Sequence, residues 1–226
     1  MRYYPVFLDI ADKPVVVIGG GAVAEQKIGG LLDAGAKVTI VSPELNETLT
    51  ELREAGRLTH IEREYKAGDI AGYELVFVAT DSRAENEKVW AEGRERRIWV
   101  NAVDDIPNCD FIMPGIVRKG DLTLAISTAG KSPAMARKVR EDLETFLSED
   151  ESTLLELAAE IRRETRERGI DIKGCSRCRR DNLDVWNAAL DGIVKKLLQE
   201  GKRDEAKARV LDLLFSPSDQ AVPELS

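Results

Sequence analysis

Residues Val15 to Glu44 constrain the fold more than any other stretch of the chain. An unbroken apolar run, Val15-Val16-Val17-Ile18, stops at Gly19-Gly20-Gly21 and gives way to a helical pattern from Ala22 to Asp33. A run with no polar alternation reads as a strand buried on both faces, as in parallel sheets covered by helices. Gly35 then ends the helix, and Lys37 to Val41 reads as a second strand. The unit is β, glycine turn, α, β, with Gly19, Gly21 and Ala24 at the small positions of G-x-G-x-x-A.

Each of these residues meets a physical need. Gly19 permits a tight turn, Gly21 lets the backbone approach a pyrophosphate, and Ala24 lets the helix pack close to the strand. The unpaired N–H groups of the first helical turn carry a partial positive charge that suits phosphates. The stretch therefore reads as a dinucleotide site, the bland alternative being a glycine-rich turn without a ligand. A ribose-binding acid is expected about twenty residues on. Here the second strand ends Val41-Ser42-Pro43-Glu44, with Ser42 near the expected place and Glu44 just beyond it. No Arg or Lys follows until Arg53, so nothing nearby suits a 2′-phosphate, and NAD is favoured over NADP.

Further along, Leu75 to Ala79 and Ile98 to Val103 read as strands, with a helix from Arg83 to Arg96 between them capped at Thr80-Asp81-Ser82. Leu58 to Glu62 reads as a half-exposed strand after a helix at Glu47 to Ala55, and Tyr4 to Ile10 as a short strand before the turn at Asp12-Lys13-Pro14. Strands alternating with helices predict a Rossmann-type doubly wound parallel sheet of order 3-2-1-4-5. Its crevice lies between the first and fourth strands at their C-terminal ends, so Thr80 and Asn101 to Asp105 are candidates to line it. If the fifth strand continues, Asp104 and Asp105 face opposite ways.

From Asp110 the pattern changes. Phe111 to Val117 and Leu122 to Ser127 read as a hairpin, and Ser132-Pro133 starts a helix running to Leu147. Glu151 to Arg168 reads as another helix; Leu183, Trp186, Leu190, Ile193 and Leu197 form an apolar helical stripe, and Asp204 to Phe215 a last short helix. The domains expected are 1–110 for the dinucleotide, 111–150 as a small α+β dimerisation domain, 151–215 as a C-terminal helical domain, and a disordered tail at 216–226.

Charge narrows the partners. The chain of 226 residues has 33 Lys and Arg against 41 Asp and Glu, a net charge of −8, which argues against a nucleic-acid or membrane-surface binder. The N-terminus lacks a signal peptide's apolar core and no run is long enough to span a membrane, so a cytoplasmic protein is expected. Three cysteines do not make a disulfide framework. Between Arg162 and Arg180 eight basic residues gather in an otherwise acidic chain. This island is either a solvated face or an anchor for a polyanionic ligand, for which Arg177, Arg179 and Arg180 are the candidates. Cys175-x-x-Cys178 lies inside it without a second pair to complete a zinc site, and the lone His60 has no partner constellation, so no metal is expected.

The runs Pro5 to Asp9, Val17 to Ala24 with Lys27, Asn101 to Asp105, Phe111 to Pro114 and Ala125 to Pro133 together resemble the precorrin-2 dehydrogenase family, which includes the amino-terminal module of sirohaem synthase. The resemblance covers residues 3 to 147 in colinear order. It implies NAD-dependent oxidation of precorrin-2, a tetrapyrrole, to sirohydrochlorin in sirohaem biosynthesis, by homodimers formed through the second domain. Some members also insert ferrous iron, which makes a bifunctional ferrochelatase the first alternative; a non-catalytic NAD(H)-sensing module is the second. By residue-wise match the catalytic aspartate falls on Asp104, and cofactor positions fall on Ala22, Val23, Pro43 and Glu44. A position phosphorylated in some members falls on Thr128. Asn101 is a candidate substrate contact. Removing two hydrogens from a reduced tetrapyrrole needs a hydride acceptor and a base; NAD supplies the first and an ionised aspartate the second.

Overall fold

The structure is a computed structural model that describes residues 3–80, 82–103, 105–147, 149–169 and 186–215. It divides into two compact units, Met1–Met113 and Pro114–Ser226.

The first unit is built on β1 (Pro14–Ile18), the central strand of a five-stranded parallel sheet whose order is β3-β2-β1-β4-β5. β2 (Lys37–Ser42), β3 (Thr59–Glu62), β4 (Leu75–Val78) and β5 (Trp99–Ala102) complete it. Alternate residues of β1 feed two separate cores. Val15 and Val17 pack with Ala24 and Ile28 of α1 (Ala22–Asp33) and Leu49 of α2 (Glu47–Glu54). Val16 and Ile18 pack on the opposite face with Val89 of α3 (Arg83–Arg96) and with Ile70. Burial on both faces is why the run carries no polar residue.

Two expectations fail in this unit. Residues 4–10 form no strand: Tyr4 and Phe7 are 88% and 74% exposed, and the five parallel strands leave this apolar segment unpaired. Strand and helix also do not alternate throughout, because residues 63–74 cross from β3 to β4 without a helix. Asp69 holds the start of this crossover, its carboxylate accepting from both terminal nitrogens of Arg63 at 2.6 and 2.7 Å and from the Lys66 amide at 2.7 Å.

The second unit opens with the antiparallel hairpin of β6 (Gly115–Lys119) and β7 (Leu122–Ile126). α4 (Pro133–Phe146) follows, capped by Ser132, whose hydroxyl accepts from the Met135 amide; Thr128 ties the preceding loop by bonding both backbone groups of Ser132. α5 (Glu149–Glu167), α6 (Gly192–Gln199) and α7 (Arg203–Phe215) enclose a core of Leu157, Ile161, Val194, Ala206 and Val210. The apolar stripe does not run along one helix. Asp191 breaks it by capping α6, its Oδ1 accepting from the Ile193 and Val194 amides at 3.0 and 2.9 Å, and Ile193 is left 54% exposed; Leu183 lies outside the described residues.

Charged clamps knit α5 to α7. Glu160 accepts from Lys207 at 2.6 Å and from Arg203 at 2.8 Å, and these bonds, Lys207's first, hold its carboxyl down at about 2. A depressed carboxyl adds stability that is complete above its unfolded value of 4.5 and is lost as pH falls from there to about 2. Glu160→Gln should therefore cost about 1–2 kcal/mol near neutral pH, since the clamp is partly screened by water, and should flatten the acid limb of the stability profile. Urea unfolding of both proteins at stepped pH measures this; parallel acid limbs would refute it.

Candidate functional site

The glycine turn is fixed by what lies around it. Gly19 has φ +114, and a Cβ there would sit 2.3 Å from the Ala79 carbonyl oxygen, so no other residue fits between β1 and β4. At Gly20 a Cβ would meet the Glu44 carbonyl oxygen at 2.1 Å and Ser42 Oγ at 2.8 Å. Gly21, the N-cap of α1, has nothing within 4 Å of a built Cβ and no side chain capping the helix. The open space and uncapped amides at Gly21 are what a phosphate needs. Ala22 and Val23 are exposed at this helix start, whereas Ala24 is fully buried and acts by packing.

Asn46 binds the turn to its surroundings. Its amide N–H donates to the Gly20 carbonyl at 3.0 Å, its Oδ1 caps α2 at the Leu49 amide, and its Nδ2 donates to Glu25 at 2.6 Å. That last bond ties the Glu25 side chain, in the first turn of α1, to the loop after β2.

At the end of β2, Ser42 is 7% exposed and its hydroxyl donates to the Glu44 carbonyl at 2.7 Å. The Ser42 carbonyl accepts from His60 Nε2 at 2.8 Å, so the lone histidine braces the end of β2. Ser42 and Pro43 line a cleft of about 1120 Å³ that reaches from the glycine turn along α3. Glu44 stands beside it, exposed, and is not a lining residue.

The cleft's far wall is the β3 to β4 crossover, which a second carboxylate ties to α3. Glu92 of α3 accepts from the Tyr65 hydroxyl, from the Gly68 amide at 3.0 Å and from Arg96 Nε at 2.6 Å. Burial pushes the Glu92 carboxyl up, but these three donors outweigh it and leave the group below the usual carboxylate range. Burial, then the Glu92 carboxylate, push the Tyr65 phenol up, so Tyr65 stays a donor. The sequence reading missed that α3 brings Lys88 and Arg96 to this cleft, together with Glu85, Glu92 and Glu95.

A second cavity of about 390 Å³ lies at the ends of β4 and β5, lined by Val23, Thr80, Arg83, Asn86, Val103 and Asp105. Thr80 lines both spaces. The fifth strand stops at Ala102 and a short 3-10 turn, Ile106–Asn108, follows, so Asp105 is not a continued strand position. Its carboxylate accepts from Asn108 Nδ2 at 2.7 Å. Asp104 lies outside the described residues, as do Arg177, Arg179, Arg180, Cys175 and Cys178. Arg162, Arg163, Arg166 and Arg168, the other arginines of the basic island, are solvent-exposed at the end of α5 and just beyond it.

Asn101 does not face this cavity. It is 6% exposed and its Nδ2 donates to the Phe111 carbonyl at 2.8 Å, pinning the chain after β5 back on the strand. Asp110 helps by accepting from the Val100 amide at 3.0 Å, and Phe111 packs edge-on against Phe77. No helix among the described residues is long and apolar enough to cross a membrane.

Residues 6–115 match the family model described as putative NAD(P)-binding, and residues 119–145 the one described as sirohaem biosynthesis protein central. The siroheme synthase of Methylococcus capsulatus is 35% identical over 223 residues, which are 99% of this chain and 46% of that protein. Siroheme synthase 3 of Aeromonas hydrophila is 40% identical over 168 residues, 74% of this chain and 36% of its own length. The chain thus spans less than half the length of the curated relatives it matches. The solved structure of SirC, a precorrin-2 dehydrogenase, aligns with TM-score 0.72 at 25% identity, covering 93% of this chain and 100% of that one.

Proposed function

We propose that this chain, which belongs to the precorrin-2 dehydrogenase and sirohaem synthase family, oxidises precorrin-2 to sirohydrochlorin with NAD. The observation that carries the reading is a pair of spaces that share Ala79 and Thr80 in their walls: a long cleft on an open glycine turn, and a smaller cavity at the strand ends. The turn amides around Gly21 hold the pyrophosphate, and Ser42 and Pro43 bound the adenosine side. NAD supplies the hydride acceptor. The oxidation removes a hydride and a proton, and the carboxylate of Asp104, between two cavity-lining residues in sequence, takes the proton. Anaerobic incubation with precorrin-2 and NAD, followed by the absorbance of NADH and of the product, tests the reading; no NADH at saturating substrate would end it.

NAD should be preferred over NADP. Among the cleft's lining side chains Glu64, Glu85, Glu92 and Glu95 face only Lys88 and Arg96, and Arg96 is bound to Glu92. A 2′-phosphate adds close to two negative charges to this acidic wall. Steady-state kinetics with both cofactors should give the higher kcat/KM with NAD; parity would contradict the argument.

The protein should be a homodimer built on the hairpin and α4. No residue of α4 is buried, Met135 and Phe146 are 53% and 74% exposed, and Ile116 of β6 is 43% exposed. A two-stranded sheet with one helix buries little alone, and a self-complementary interface is the commonest way to cover such a face. Sedimentation should give twice the 25.1 kDa of the chain. A monomer at micromolar concentration would sink the proposal.

A further inference from the structure

Asn86 stands in the first turn of α3, 6% exposed, a buried amide in a wall of the smaller cavity. Its Oδ1 accepts from the Thr80 hydroxyl at 2.9 Å. In this arrangement the carbonyl faces Thr80 and the NH2 group lies on the other side. Among the described residues, Asn86 Nδ2 has no protein partner. Nor is it sealed away, since the Tyr3 hydroxyl is the sole partnerless side-chain atom shut off from solvent among those residues. The NH2 group therefore reaches the cavity that Asn86 shares with Thr80, Val103 and Asp105.

A donor that is fixed in place and faces an open cavity is available to a ligand acceptor that displaces the water there. The position in the sheet says which one. The cavity lies at the ends of β4 and β5, across β1 from the β2 rim where Ser42 and Pro43 bound the adenosine side. A dinucleotide laid across the switch point brings its nicotinamide half to that side. There the carboxamide carbonyl is a neutral acceptor matched to a neutral amide donor. We infer that Asn86 Nδ2 donates to the nicotinamide carboxamide oxygen and fixes the rotation of the ring, while Asn86 Oδ1 holds Thr80 beside it. This rests on the reading that the cleft takes NAD.

Asn86→Asp separates the two jobs, because it keeps an oxygen for Thr80 and removes the NH2 donor. Calorimetric titration of wild type and variant with NAD and with ADP-ribose, which has no nicotinamide, gives the test. The expected result is a Kd for NAD raised about tenfold, with ADP-ribose affinity unchanged. Equal weakening of both ligands, or NAD affinity left intact, would overturn the inference. On the wild-type protein, the thionicotinamide analogue, whose sulfur is a weak acceptor, should bind less tightly than NAD; equal binding would also overturn it, whether or not the variant folds. Failure of the cofactor reading looks different: wild type would then bind neither ligand, whereas wild type that binds NAD no better than ADP-ribose would overturn the Asn86 contact alone.

Discussion

Asp104→Asn is expected to lower the turnover of precorrin-2 oxidation on the order of 10²-fold or more, the usual scale of a lost general base. The exchange keeps size and most hydrogen bonding and removes charge and basicity. NAD affinity should stay near wild type, because the proposed phosphate site is the turn from Gly19 to Gly21 at the end of β1 and the proposed base follows β5 in sequence. Asp105 is the internal control. Its carboxylate lines the cavity but already takes the Asn108 amide, so Asp105→Asn should cost less. Stopped-flow and steady-state rates with saturating NAD read both variants. The assignment fails if Asp104→Asn keeps most of its turnover, and it moves one residue along the chain if Asp105→Asn is the more damaged.

The second large effect is a contrast between neighbouring glycines. At Gly20 a Cβ would press on the Glu44 carbonyl oxygen from 2.1 Å and on Ser42 Oγ, and the loop after β2 is tied back by Asn46 and cannot yield freely. Gly20→Ala should therefore cost about 3 kcal/mol or more of stability, or roughly 6–12 °C in Tm. At Gly21 nothing in the protein lies within 4 Å and the backbone is extended, with φ −94 and ψ −168. Gly21→Ala should leave Tm nearly unchanged and weaken NAD roughly 10- to 100-fold, because the methyl group occupies the space the pyrophosphate needs. Thermal unfolding and NAD titration of the two variants give the crossed pattern. A Gly21→Ala protein that binds NAD like wild type would show that the phosphate lies elsewhere.

What was legible in the sequence is what repeats or what only one residue type can do. The apolar run of β1 announced a sheet covered on both faces, and the glycine turn, α1 and the order β3-β2-β1-β4-β5 follow from it. Ser132-Pro133 gave the start of α4 to the residue. Asn46, Asn86 and Glu92 were not legible, because each is a single polar residue whose meaning lies in partners brought close by the fold. The structural work of Asn101 was hidden for the same reason: position put it near the crevice, and its amide turns to Phe111. Residues 4–10 look strand-like by composition, yet composition does not supply a neighbouring strand. The break at Asp191-Gly192 was readable, since an aspartate before a glycine in an apolar stripe is a capping signal, but the stripe's periodicity masked it.

The crossover from β3 to β4 is the place where this sheet departs from its own scheme, and the departure creates room. A helix there would lie against the sheet beside α3; instead residues 63–74 run as a loop, and the cleft extends along α3 from Ala84 to Arg96, about 18 Å at 1.5 Å per residue. Ligand space here comes from an omitted element and owes little to the sheet, whose strands are buried whether the loop is long or short. Capacity is thus a property of one connecting segment, in which chains accept insertions at small cost where the backbone is exposed, with Ile70 as its anchor in the core. A lineage could enlarge or narrow the berth by editing that segment alone, provided the new loop still delivers a backbone N–H to Glu92.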